Sequence, residues 1–457
     1  MLLQNKVFNL VLVLISALGY AYFAYVLDRS DFYLLFGLYA VLFFIFVNWM
    51  KNSNFTFIQL SYISIGLRLI LLFGLPSLSQ DFYRFIWDGR MLASGISPYV
   101  FTPNQILEQS PNLIYQAEGL VRGMQDLNAS HYSNYPPVSQ WIYFLAAKVA
   151  PGSILGAVVC LRCVLILADV GILYFGKKIL QHLNLPIKNI FWFILNPLVI
   201  LELTGNLHFE GLMLLLLLAS IYGILRFKWI GSALFFGLSV ATKLLPLVLL
   251  PLFYKFHFKK NEIVSAFSIQ KIISFSGYSL LCLVFFGLTF IGLTDEDFIA
   301  HFGESIALWF GTFEFNASLY YVFRWIGFQL VGWNTIATLG KILPVLILAS
   351  IVYLAFFSFK NGNQDKFAAL VLGVSLYFFL STTVHPWYLV TPLLLGVFTR
   401  FQFTVIWSFM IMLSYAAYQH EIYHENLWLV ALEYVVVLGY LAYELLFLTP
   451  NKVERLK

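Results

Sequence analysis

The residues best equipped for chemistry in this sequence lie within one short segment, residues 79–90. Asp81, Arg84 and Asp88 follow one another at intervals of three and four, so on a helix they share one face. On such a face one carboxylate can act as a general base while a cation holds an anionic leaving group. A helix at a membrane boundary whose Asp and Arg side chains pair only with each other has the same spacing, so the residues alone leave both interpretations open.

Two motifs that contain histidine are further candidates. His385 precedes a Pro-Trp-Tyr sequence and could contact a phosphate or a sugar hydroxyl, or it could anchor the chain at the membrane interface with its aromatic neighbours. His208 and Glu210 are two positions apart, so they would not face each other on a helix, although both could line a turn.

Two other pairs of charged residues have simpler explanations beside functional ones. Asp295 and Asp297 have the Asp-x-Asp spacing of a metal site, but charge in a solvated loop is the favoured interpretation, and no metal site is predicted. Arg162 and Asp169 lie seven positions apart in an apolar segment, hence on one helical face. Charge inside a membrane is functional by default, yet an internal ion pair that braces the helices explains this pair at least as well.

The elements that must position these residues are membrane-spanning helices. Of the 457 residues 61% are hydrophobic and only 11% are charged, whereas a globular domain carries roughly 25% charged residues. Windows with little or no charge, long enough to span a bilayer, occupy residues 7–27, 33–50, 272–293 and 426–443. Backbone in lipid must satisfy its own hydrogen bonds, so these windows are helices. The sequence predicts an all-α polytopic membrane protein, with residues 1–457 forming a single transmembrane domain.

The basic residues report the orientation of the chain. Short cytoplasmic loops are enriched in Lys and Arg, and a cytoplasmic N-terminus places about 17 basic residues inside and about five outside. The inside set is Lys6, Lys51, Lys177, Lys178, Lys188, Arg226, Lys228, Lys255, Lys259, Lys260, Lys271, Lys360, Lys366, Arg400, Lys452, Arg455 and Lys457. The outside set is Arg29, Arg84, Arg90, Arg122 and Arg324. Both termini are therefore predicted to be cytoplasmic, and because these charges form neither a face nor a stripe, no nucleic acid partner is expected.

This orientation requires two apolar segments not to cross the membrane in the ordinary way. Residues 138–150 are too short for a comfortable span. Residues 229–254 have basic flanks at both ends and an interior Lys243 and Pro246, which predicts broken or re-entrant helices. With these two set aside, the sequence predicts about 12 spans.

Two long loops, residues 78–136 and 294–316, fall on the external side. The first carries an apolar stripe at helical spacing, which predicts a helix along the membrane surface over residues 112–127: Leu113, Ile114, Ala117, Leu120, Val121 and Met124. The second carries a similar stripe: Phe298, Ile299, Phe302, Ile306, Trp309 and Phe310. Nearly every His, Asp and Glu that could do chemistry is then external, which favours an externally facing site.

The external motifs resemble those of the GT-C superfamily, and within it the bacterial polyprenol-phosphate-mannose-dependent mannosyltransferases. In the first loop the matching motifs are Asp81-Phe-Tyr-Arg-Phe-Ile-Trp-Asp88-Gly-Arg90, Gly95-Ile-Ser-Pro-Tyr99 and Tyr135-Pro-Pro137. They are followed, in order, by Asn196-Pro197, Gly205-Asn-Leu-His208-Phe-Glu210, Ala241-Thr-Lys243-Leu-Leu-Pro246, Asn316-Ala-Ser-Leu-Tyr320 and His385-Pro-Trp-Tyr388. Phe209-Glu210 departs from the family pattern, where a pair closer to Asn-Asp is expected.

The resemblance implies a GT-C-like helical bundle and a glycosyltransferase. A sugar, mannose by this resemblance, would pass with inversion from a polyprenyl-phosphate donor to a glycan or glycolipid acceptor on the external side of a bacterial plasma membrane. The catalytic acidic residue of the family begins the first long external loop, which makes Asp81 the expected general base. The expected substrate contacts are Tyr83, Arg84, Trp87, Asp88, Arg90, Tyr135, His208, Glu210, Lys243, Asn316, His385 and Tyr388. Arg84, Arg90 or Lys243 could hold the departing phosphate. The expected partners are the donor, the acceptor and membrane lipids, with no cofactor.

Two readings of other classes stay open at this point. A transporter or flippase for a lipid-linked or polar solute would line its pathway with the intramembrane charges Arg68, Arg162, Asp169 and Lys243. A scaffold without catalysis would tolerate the simultaneous loss of Asp81, Asp88 and His385.

Overall fold

The computed structural model describes residues 2–257, 268–357, 362–420 and 423–447. Within these residues the regular elements are helices, and an isolated bridge between Phe315 and Thr383 is the strand-like pairing they contain. The predicted all-α class is confirmed. Several residues used to orient the chain lie outside the described part: Lys259, Lys260, Lys360, Lys452, Arg455 and Lys457.

The first half of the chain forms three helices, a loop region rich in short helices, and then a bundle. The opening helices are α1 (Leu2–Tyr25), α2 (Phe32–Asn52) and α3 (Phe57–Ile70). The loop region contains α4 (Asp81–Ala93), α5 (Pro103–Gln109) and α6 (Ala117–Ala129), and α7 (Pro137–Val149) follows it. After these come α8 (Ile154–His182), a 3-10 turn (Ile187–Ile190), α9 (Phe191–Ile194), α10 (Pro197–Val199), a π-helix (Ile200–Gly205), α11 (Glu210–Leu225), α12 (Trp229–Val240), α13 (Pro246–Leu249) and a 3-10 helix (Leu250–His257).

The second half repeats the alternation of long and short helices. Its elements are α14 (Ile269–Leu288), α15 (Phe298–Gly311), α16 (Leu319–Val331), α17 (Ile336–Phe356), α18 (Asn363–Leu380), a 3-10 turn (Pro386–Leu389), α19 (Val390–Gly396), α20 (Phe403–Met410), a 3-10 helix (Ile411–Tyr418) and α21 (Leu427–Phe447).

Six of the described helices are long and apolar enough to cross a membrane: Val7–Tyr25 of α1, and α2, α8, α14, α17 and α21. A pair bent by 55°, Ile187–Ile194 with Pro197–Gly205, would make a seventh. Four of the six coincide with the uncharged or nearly uncharged windows of the sequence. The prediction of about 12 spans is not confirmed, because breaks and bends divide much of the remaining apolar sequence into helices of 10–17 residues, shorter than the roughly 20 residues that a span needs.

The segment around Lys243 is broken, as its sequence predicts. Helix α12 ends at Val240 and α13 begins at Pro246, which leaves Lys243 outside regular helix. The start of α7 holds the break, because the Val138 backbone N–H donates to the Ala241 carbonyl at 2.8 Å. Ser139 Oγ donates to the next carbonyl, that of Thr242, also at 2.8 Å. The 13 residues of α7 confirm that residues 138–150 form a helix too short to span.

The apolar stripe of the first loop packs against the protein itself. The helix occupies 117–129 instead of the predicted 112–127, and Leu120 and Met124 are fully buried in a cluster with residues of α4. Gly123 lies against the Tyr83 ring, where a Cβ would come within 2.7 Å of it. The predicted contact with the membrane surface is therefore wrong for the buried part of the stripe, whereas Leu113 is 39% exposed. Spacing reveals an apolar face but not what covers it.

The stripe of the second loop divides between two environments. Phe298 and Phe302 of α15 pack on the Tyr99 ring at 5.2 and 5.8 Å, whereas Ile299 is 83% exposed. The side chains of Trp309 and Phe310 lie outside those described.

The charges within the bundle have partners different from those the sequence suggested. Asp169 Oδ2 lies 2.5 Å from Arg68 Nε, so α3 and α8 are joined by a buried ion pair, and Arg162 is not its partner. Arg162 instead donates to four backbone carbonyls, those of Leu72, Gly74, Thr204 and Gly205. The suggested pair of Arg162 with Asp169 is therefore wrong: both residues lie on one helix, but closer partners satisfy each of them.

Candidate active site

A polar cavity of about 380 Å³ opens beside the N-terminus of α4, and segments far apart in sequence line it. Asp81, the first residue of α4, stands in its wall. Lys243 comes from the broken segment, and His385, Trp387 and Tyr388 come from the turn before α19. Predicted external segments thus meet around one space, together with the helix break that carries Lys243.

Asp81 is the one carboxylate among the described residues that line this cavity. Burial raises the pKa of the Asp81 carboxyl above its usual value, Glu210 raises it further, and Lys243 opposes both. Only the end of α4 reaches the cavity, so Asp81 faces it while the rest of the helix packs inside the loop region. The side chain is therefore a half-buried carboxylate in a position to accept a proton.

Lys243 stands at the boundary between this cavity and a second one. Its Nζ lies 3.1 Å from Glu210 Oε1 and 5.2 Å from the centre of the Tyr135 ring. The second cavity, of about 210 Å³, shares Asn134, Tyr135, Lys243 and Tyr388 with the first. Its remaining wall is mostly apolar, with Leu244, Leu245, Ile306 and Phe378, although the side chain of Glu210 also lines it. An ammonium group thus separates a polar compartment from an apolar one.

The two predicted histidines lie on opposite faces of one tryptophan. The Trp387 ring is 3.8 Å from the His208 ring and 4.4 Å from the His385 ring, with interplanar angles of 16° and 7°. His385 lines the polar cavity, whereas His208 is fully buried behind Trp387 and does not line it. Burial, with a contribution from Lys243, lowers the pKa of His385 to about 3 and lowers that of His208 well below its usual value. Both rings are therefore uncharged at neutral pH.

Arg84 and Asp88 form a buried ion pair that holds the first loop together. Arg84 Nε donates to Asp88 Oδ1 at 2.7 Å. The second carboxylate oxygen accepts from Ser133 Oγ at 2.6 Å and from Gln140 Nε2 at 2.9 Å. Arg84 Nη1 also donates to the carbonyls of Asn128 and His131. This is the i,i+4 pairing that the sequence left open as an alternative to substrate contact.

The other predicted residues of α4 also face the loop region. Arg90 donates to the Tyr115 carbonyl and to Gln116 Oε1. Trp87 is buried, and its Nε1 donates to Met91 Sδ at 3.0 Å. Neither these residues nor Tyr83, Arg84 and Asp88 line the described walls of the two cavities. Their contact with substrate stays a prediction that this geometry does not favour.

Asn316 fixes the second external loop to the last helix. Its φ of +46° is in the left-handed region, its backbone N–H donates to Glu425, and its Nδ2 donates to Glu433 Oε2 at 3.2 Å. The neighbouring Phe315 forms two backbone hydrogen bonds with the segment before His385. The Phe315 N–H donates to the Thr382 carbonyl, and the Phe315 carbonyl accepts from the Val384 N–H. Asn316 therefore shapes the site from outside the cavity wall.

Some residues that line the polar cavity were not among the predicted site residues. Trp387 lies within a predicted motif without being singled out, and Arg29 belongs to the short loop between α1 and α2. Arg29 donates to Gln80 Oε1 at 2.8 Å and lies 4.7 Å from the centre of the Tyr418 ring. The sequence predicted that Arg29 is external, but nothing in the sequence placed Arg29 near Asp81. Asp295 and Asp297 are exposed, and the described residues contain no cluster of three or more His, Cys, Asp or Glu that could hold a metal ion.

Comparison with known proteins confirms the resemblance that the motifs carry. Residues 33–258 match the family described as alpha-(1->6)-mannopyranosyltransferase, N-terminal domain. Alpha-(1->6)-mannopyranosyltransferase A of Corynebacterium glutamicum is 25% identical over 190 residues, which are 40% of this chain and 35% of that protein. Alpha-(1->6)-mannopyranosyltransferase A of Mycobacterium tuberculosis is 20% identical over 331 residues, 71% of this chain and 62% of that protein.

Each match covers only part of the related protein. Alpha-(1->6)-mannopyranosyltransferase B of Corynebacterium glutamicum is 26% identical over 147 residues, 32% of this chain and 23% of that protein. In these three comparisons the chain spans less than two thirds of the relative's length. The family match includes Asp81, Glu210 and Lys243, whereas His385 and Tyr388 lie beyond it.

Proposed function

We propose that this chain, related to the alpha-(1->6)-mannopyranosyltransferases through residues 33–258, is a membrane enzyme that transfers mannose from a polyprenyl-phosphate donor to a glycan or glycolipid acceptor. The single observation that carries the proposal is the arrangement of Asp81 and Lys243. A carboxylate and an ammonium group line one polar cavity, and the ammonium group also borders an apolar cavity. A lipid-phosphate sugar and a hydroxyl acceptor require these features together.

In the proposed reaction Asp81 is the general base. The acceptor hydroxyl oxygen attacks the anomeric carbon of the donor, and Asp81 takes the hydroxyl proton as the new C–O bond forms. The bond between the anomeric carbon and the phosphate oxygen breaks, and polyprenyl phosphate leaves with the electron pair. A single displacement of this kind inverts the anomeric centre. Burial raises the pKa of the Asp81 carboxyl, which makes its carboxylate form a stronger base than that of an exposed aspartate.

Lys243 is the proposed partner of the departing phosphate. A compact ammonium group suits a phosphate whose negative charge grows as the sugar leaves. Arg84 and Arg90, which the sequence offered for the same role, are bonded inside the first loop. The ion pair with Glu210, at 3.1 Å, holds the Lys243 chain across the boundary of the two cavities.

The apolar cavity is the proposed site of the first isoprene units of the donor. Leu244, Leu245 and Ile306 provide an aliphatic surface beside Lys243, and apolar area removed from water stabilises a complex by about 25 cal/mol per Å². The mannosyl group would then lie in the polar cavity near Asp81. Tyr135 and Tyr388, which line both cavities, border the path between them.

His385 is proposed as an uncharged hydrogen-bond partner for the sugar or the phosphate. Its ring lines the polar cavity, and its lowered pKa keeps it neutral beside Lys243. A neutral imidazole can donate from one nitrogen and accept at the other, which suits a sugar hydroxyl that does both.

The surroundings of the intramembrane charges favour an enzyme over a transporter or flippase. Arg68 and Asp169 are paired with each other, and Arg162 is bonded to backbone carbonyls. Groups that line a solute pathway are instead exposed to water or to a wide cavity, whereas the pocket that Arg162 borders has a volume of only about 20 Å³. Of the four charges that a transport pathway would use, Lys243 is the one that borders the two cavities.

We further propose that the site faces the outside of a bacterial plasma membrane, with both termini in the cytoplasm. The loops predicted to be external supply the cavity walls, which requires them to lie at one end of the bundle. In a variant whose native cysteines are replaced by serine, Glu118→Cys should react with a membrane-impermeant thiol reagent added to intact cells. Lys51→Cys should react only after permeabilisation. Reaction of Glu118→Cys only after permeabilisation would overturn this orientation.

Transfer of radiolabelled mannose tests the function. Purified protein is incubated with polyprenyl-phosphate mannose and a panel of glycan and glycolipid acceptors, and the label in the acceptor is measured. Asp81→Asn keeps the shape of the side chain but removes its basicity, so the rate should fall by at least about 100-fold. Asp126→Asn, an exposed position in the same loop, is the matched control and should transfer at the wild-type rate.

Three results would contradict the proposal. Near-normal transfer by Asp81→Asn would remove Asp81 as the base. Movement of a lipid-linked solute across sealed vesicles without a new glycosidic bond would favour the transporter. A triple variant of Asp81, Asp88 and His385 that supports normal glycan assembly in cells would favour the scaffold.

A further inference from the structure

Four aromatic rings form a continuous stack beside the polar cavity. In order they are His208, Trp387, His385 and Phe315, with centroid separations of 3.8, 4.4 and 4.8 Å. The interplanar angles are 16°, 7° and 28°, so the rings lie nearly face to face. The stack begins at the loop after the π-helix and ends in the second external loop. Trp387 and His385 line the cavity, and the two outer rings lie behind them.

His208 contributes its ring face to this stack and not its nitrogens. The side chain is fully buried, and neither ring nitrogen has a hydrogen-bond partner among the described residues. The nearest carboxylate oxygen, Glu202 Oε2, is 3.6 Å from Nε2, beyond hydrogen-bond distance. Burying polar nitrogens without partners costs free energy. The stacking contact of the His208 ring with Trp387 offsets this cost.

His385 is likewise held by stacking. Histidines in active sites are commonly oriented by a hydrogen bond to the nitrogen that does not meet the ligand. Here Nδ1 of His385 is buried without a partner in the described part of the chain. Trp387 and Phe315 cover the two faces of the ring instead. The backbone bonds between Phe315 and residues 382 and 384 fix one end of this arrangement.

We propose that Trp387, clamped between the rings of His208 and His385, orients the His385 imidazole in the cavity, which makes Trp387 and His208 positioning residues for the transfer. The role in transfer rests on the proposed function, whereas the orienting role stands on the stack itself. Because the rings of His208 and His385 both stack on Trp387, we expect no sugar ring to stack on it. His208 therefore acts through Trp387 and does not touch substrate.

The first test measures the orientation of His385 without any enzyme activity. Diethyl pyrocarbonate acylates uncharged imidazole, and peptide mass spectrometry gives the rate at each histidine of the detergent-solubilised protein. Trp387→Leu and His208→Leu release the His385 ring, so its acylation rate should rise at least about threefold, as expected when an aromatic contact of this kind is lost. His208→Phe restores the ring face without nitrogens, and the rate should stay near that of the wild type.

The second test follows mannose transfer by the same variants at equal amounts of folded, monodisperse protein. His208→Leu should lower kcat/KM by about tenfold, because catalytic groups tolerate little misplacement, while His208→Phe should recover most of that loss. His301→Leu is the matched control. It removes another stacked histidine, whose ring lies 3.8 Å from that of Tyr132. Neither His301 nor Tyr132 lines either cavity. It should change neither the acylation of His385 nor the transfer rate.

The outcomes separate the two proposals. Acylation of His385 that is unchanged in Trp387→Leu and His208→Leu would overturn the orienting role. A His208→Phe variant as impaired in transfer as His208→Leu would also overturn it, since the nitrogens would then be required. If the acylation rates change as expected but the wild-type protein transfers no mannose to any acceptor, the orienting role is supported and the proposed function fails.

Discussion

The ammonium nitrogen of Lys243 lies 3.1 Å from Oε1 of Glu210, where a polar and an apolar cavity meet. The side chain of Glu210 is 3% exposed and that of Lys243 is 18% exposed. The contact exists because α12 breaks before Pro246 and places the Lys243 backbone outside regular helix. Lys243 lowers the pKa of the Asp81 carboxyl and Glu210 raises it. The pair therefore has a measurable effect on the proposed base.

The pH dependence of transfer should report this pair. Asp81 must be ionised to accept a proton, so kcat/KM falls as the pH drops through its raised pKa. Lys243 lowers that pKa, hence Lys243→Met should move the acid limb to higher pH. Glu210 raises it, hence Glu210→Gln should move the limb to lower pH. The position of the limb is read from pH profiles of kcat/KM, independently of the overall loss of rate.

Lys148→Met is the control for the pH experiment, because Lys148 is exposed and does not line either cavity. Its acid limb should coincide with that of the wild type. A shift of Lys243→Met and Glu210→Gln in the same direction would show that their charges do not act on the base in the way proposed.

The buried pair of Arg68 and Asp169 should be a source of stability and not of transport. Asp169→Leu leaves the Arg68 guanidinium buried without its carboxylate, so the free energy of unfolding should fall by about 3–5 kcal/mol. Arg68→Met combined with Asp169→Leu replaces both charges by apolar groups and should recover most of this loss. Thermal unfolding in detergent measures both effects.

Mannose transfer by the double variant distinguishes the two classes of function. A brace can be replaced by apolar packing, so transfer should persist at a rate close to that of the wild type. If the double variant is stable but inactive, the charges themselves take part in function, as a transport pathway would require.

The sequence was sufficient to predict the all-helical class, which follows from local patterns. Local patterns also drew attention to Asp81 together with Arg84 and Asp88, and the resemblance to the GT-C superfamily selected Asp81 among them. Apolar windows identify helices in lipid, and Asp81 comes directly after one such region at the start of a polar segment. The break around Lys243 was also predictable, since a charge and a proline interrupt an apolar run. These features depend on neighbouring residues only.

The parts that the sequence could not supply depend on which surfaces meet. Spacing placed Asp81, Arg84 and Asp88 on one face, but it could not show that Ser133 and Gln140 would bond Asp88. In the same way, His208 and His385 are separated by most of the second half of the chain, and only the fold brings Trp387 between them. The predicted number of spans is not confirmed for a related reason, because hydropathy does not register bends such as the 55° one near Asn196.

Close packing of α4 on α7 predicts a strong effect of a small substitution. A Cβ at Gly89 would lie 2.2 Å from the Tyr143 carbonyl oxygen, which belongs to the backbone and cannot turn away. Gly89→Ala should therefore separate the two helices and lower the free energy of unfolding by about 1–3 kcal/mol. Gly119→Ala, in a helix of the same loop with open space around it, should instead stabilise by up to about 1 kcal/mol. Thermal unfolding of both variants checks the contrast, and equal behaviour would contradict the close contact.

The apolar cavity predicts a selective effect on the donor. Ile306 of α15 lines this cavity, so Ile306→Trp should fill part of the space proposed for the first isoprene units. Overpacking of about 1–3 kcal/mol corresponds to a rise of roughly 5- to 150-fold in KM for polyprenyl-phosphate mannose. The KM for the acceptor should change little, because Asp81, the proposed partner of the acceptor hydroxyl, lines the polar cavity and not the apolar one.

Ile299→Trp is the matched control, since Ile299 lies on the same helix and is 83% exposed. It adds the same side chain to α15 without entering the cavity, so both KM values should stay at the wild-type level. Comparing Ile306→Trp with Lys243→Met also distinguishes recognition of the donor's lipid chain from recognition of its phosphate. Lys243→Met should weaken binding of donors with short and long chains alike, whereas Ile306→Trp should penalise only donors whose chain reaches the cavity. An equal rise of both KM values in Ile306→Trp would mean that the cavity does not hold the donor chain.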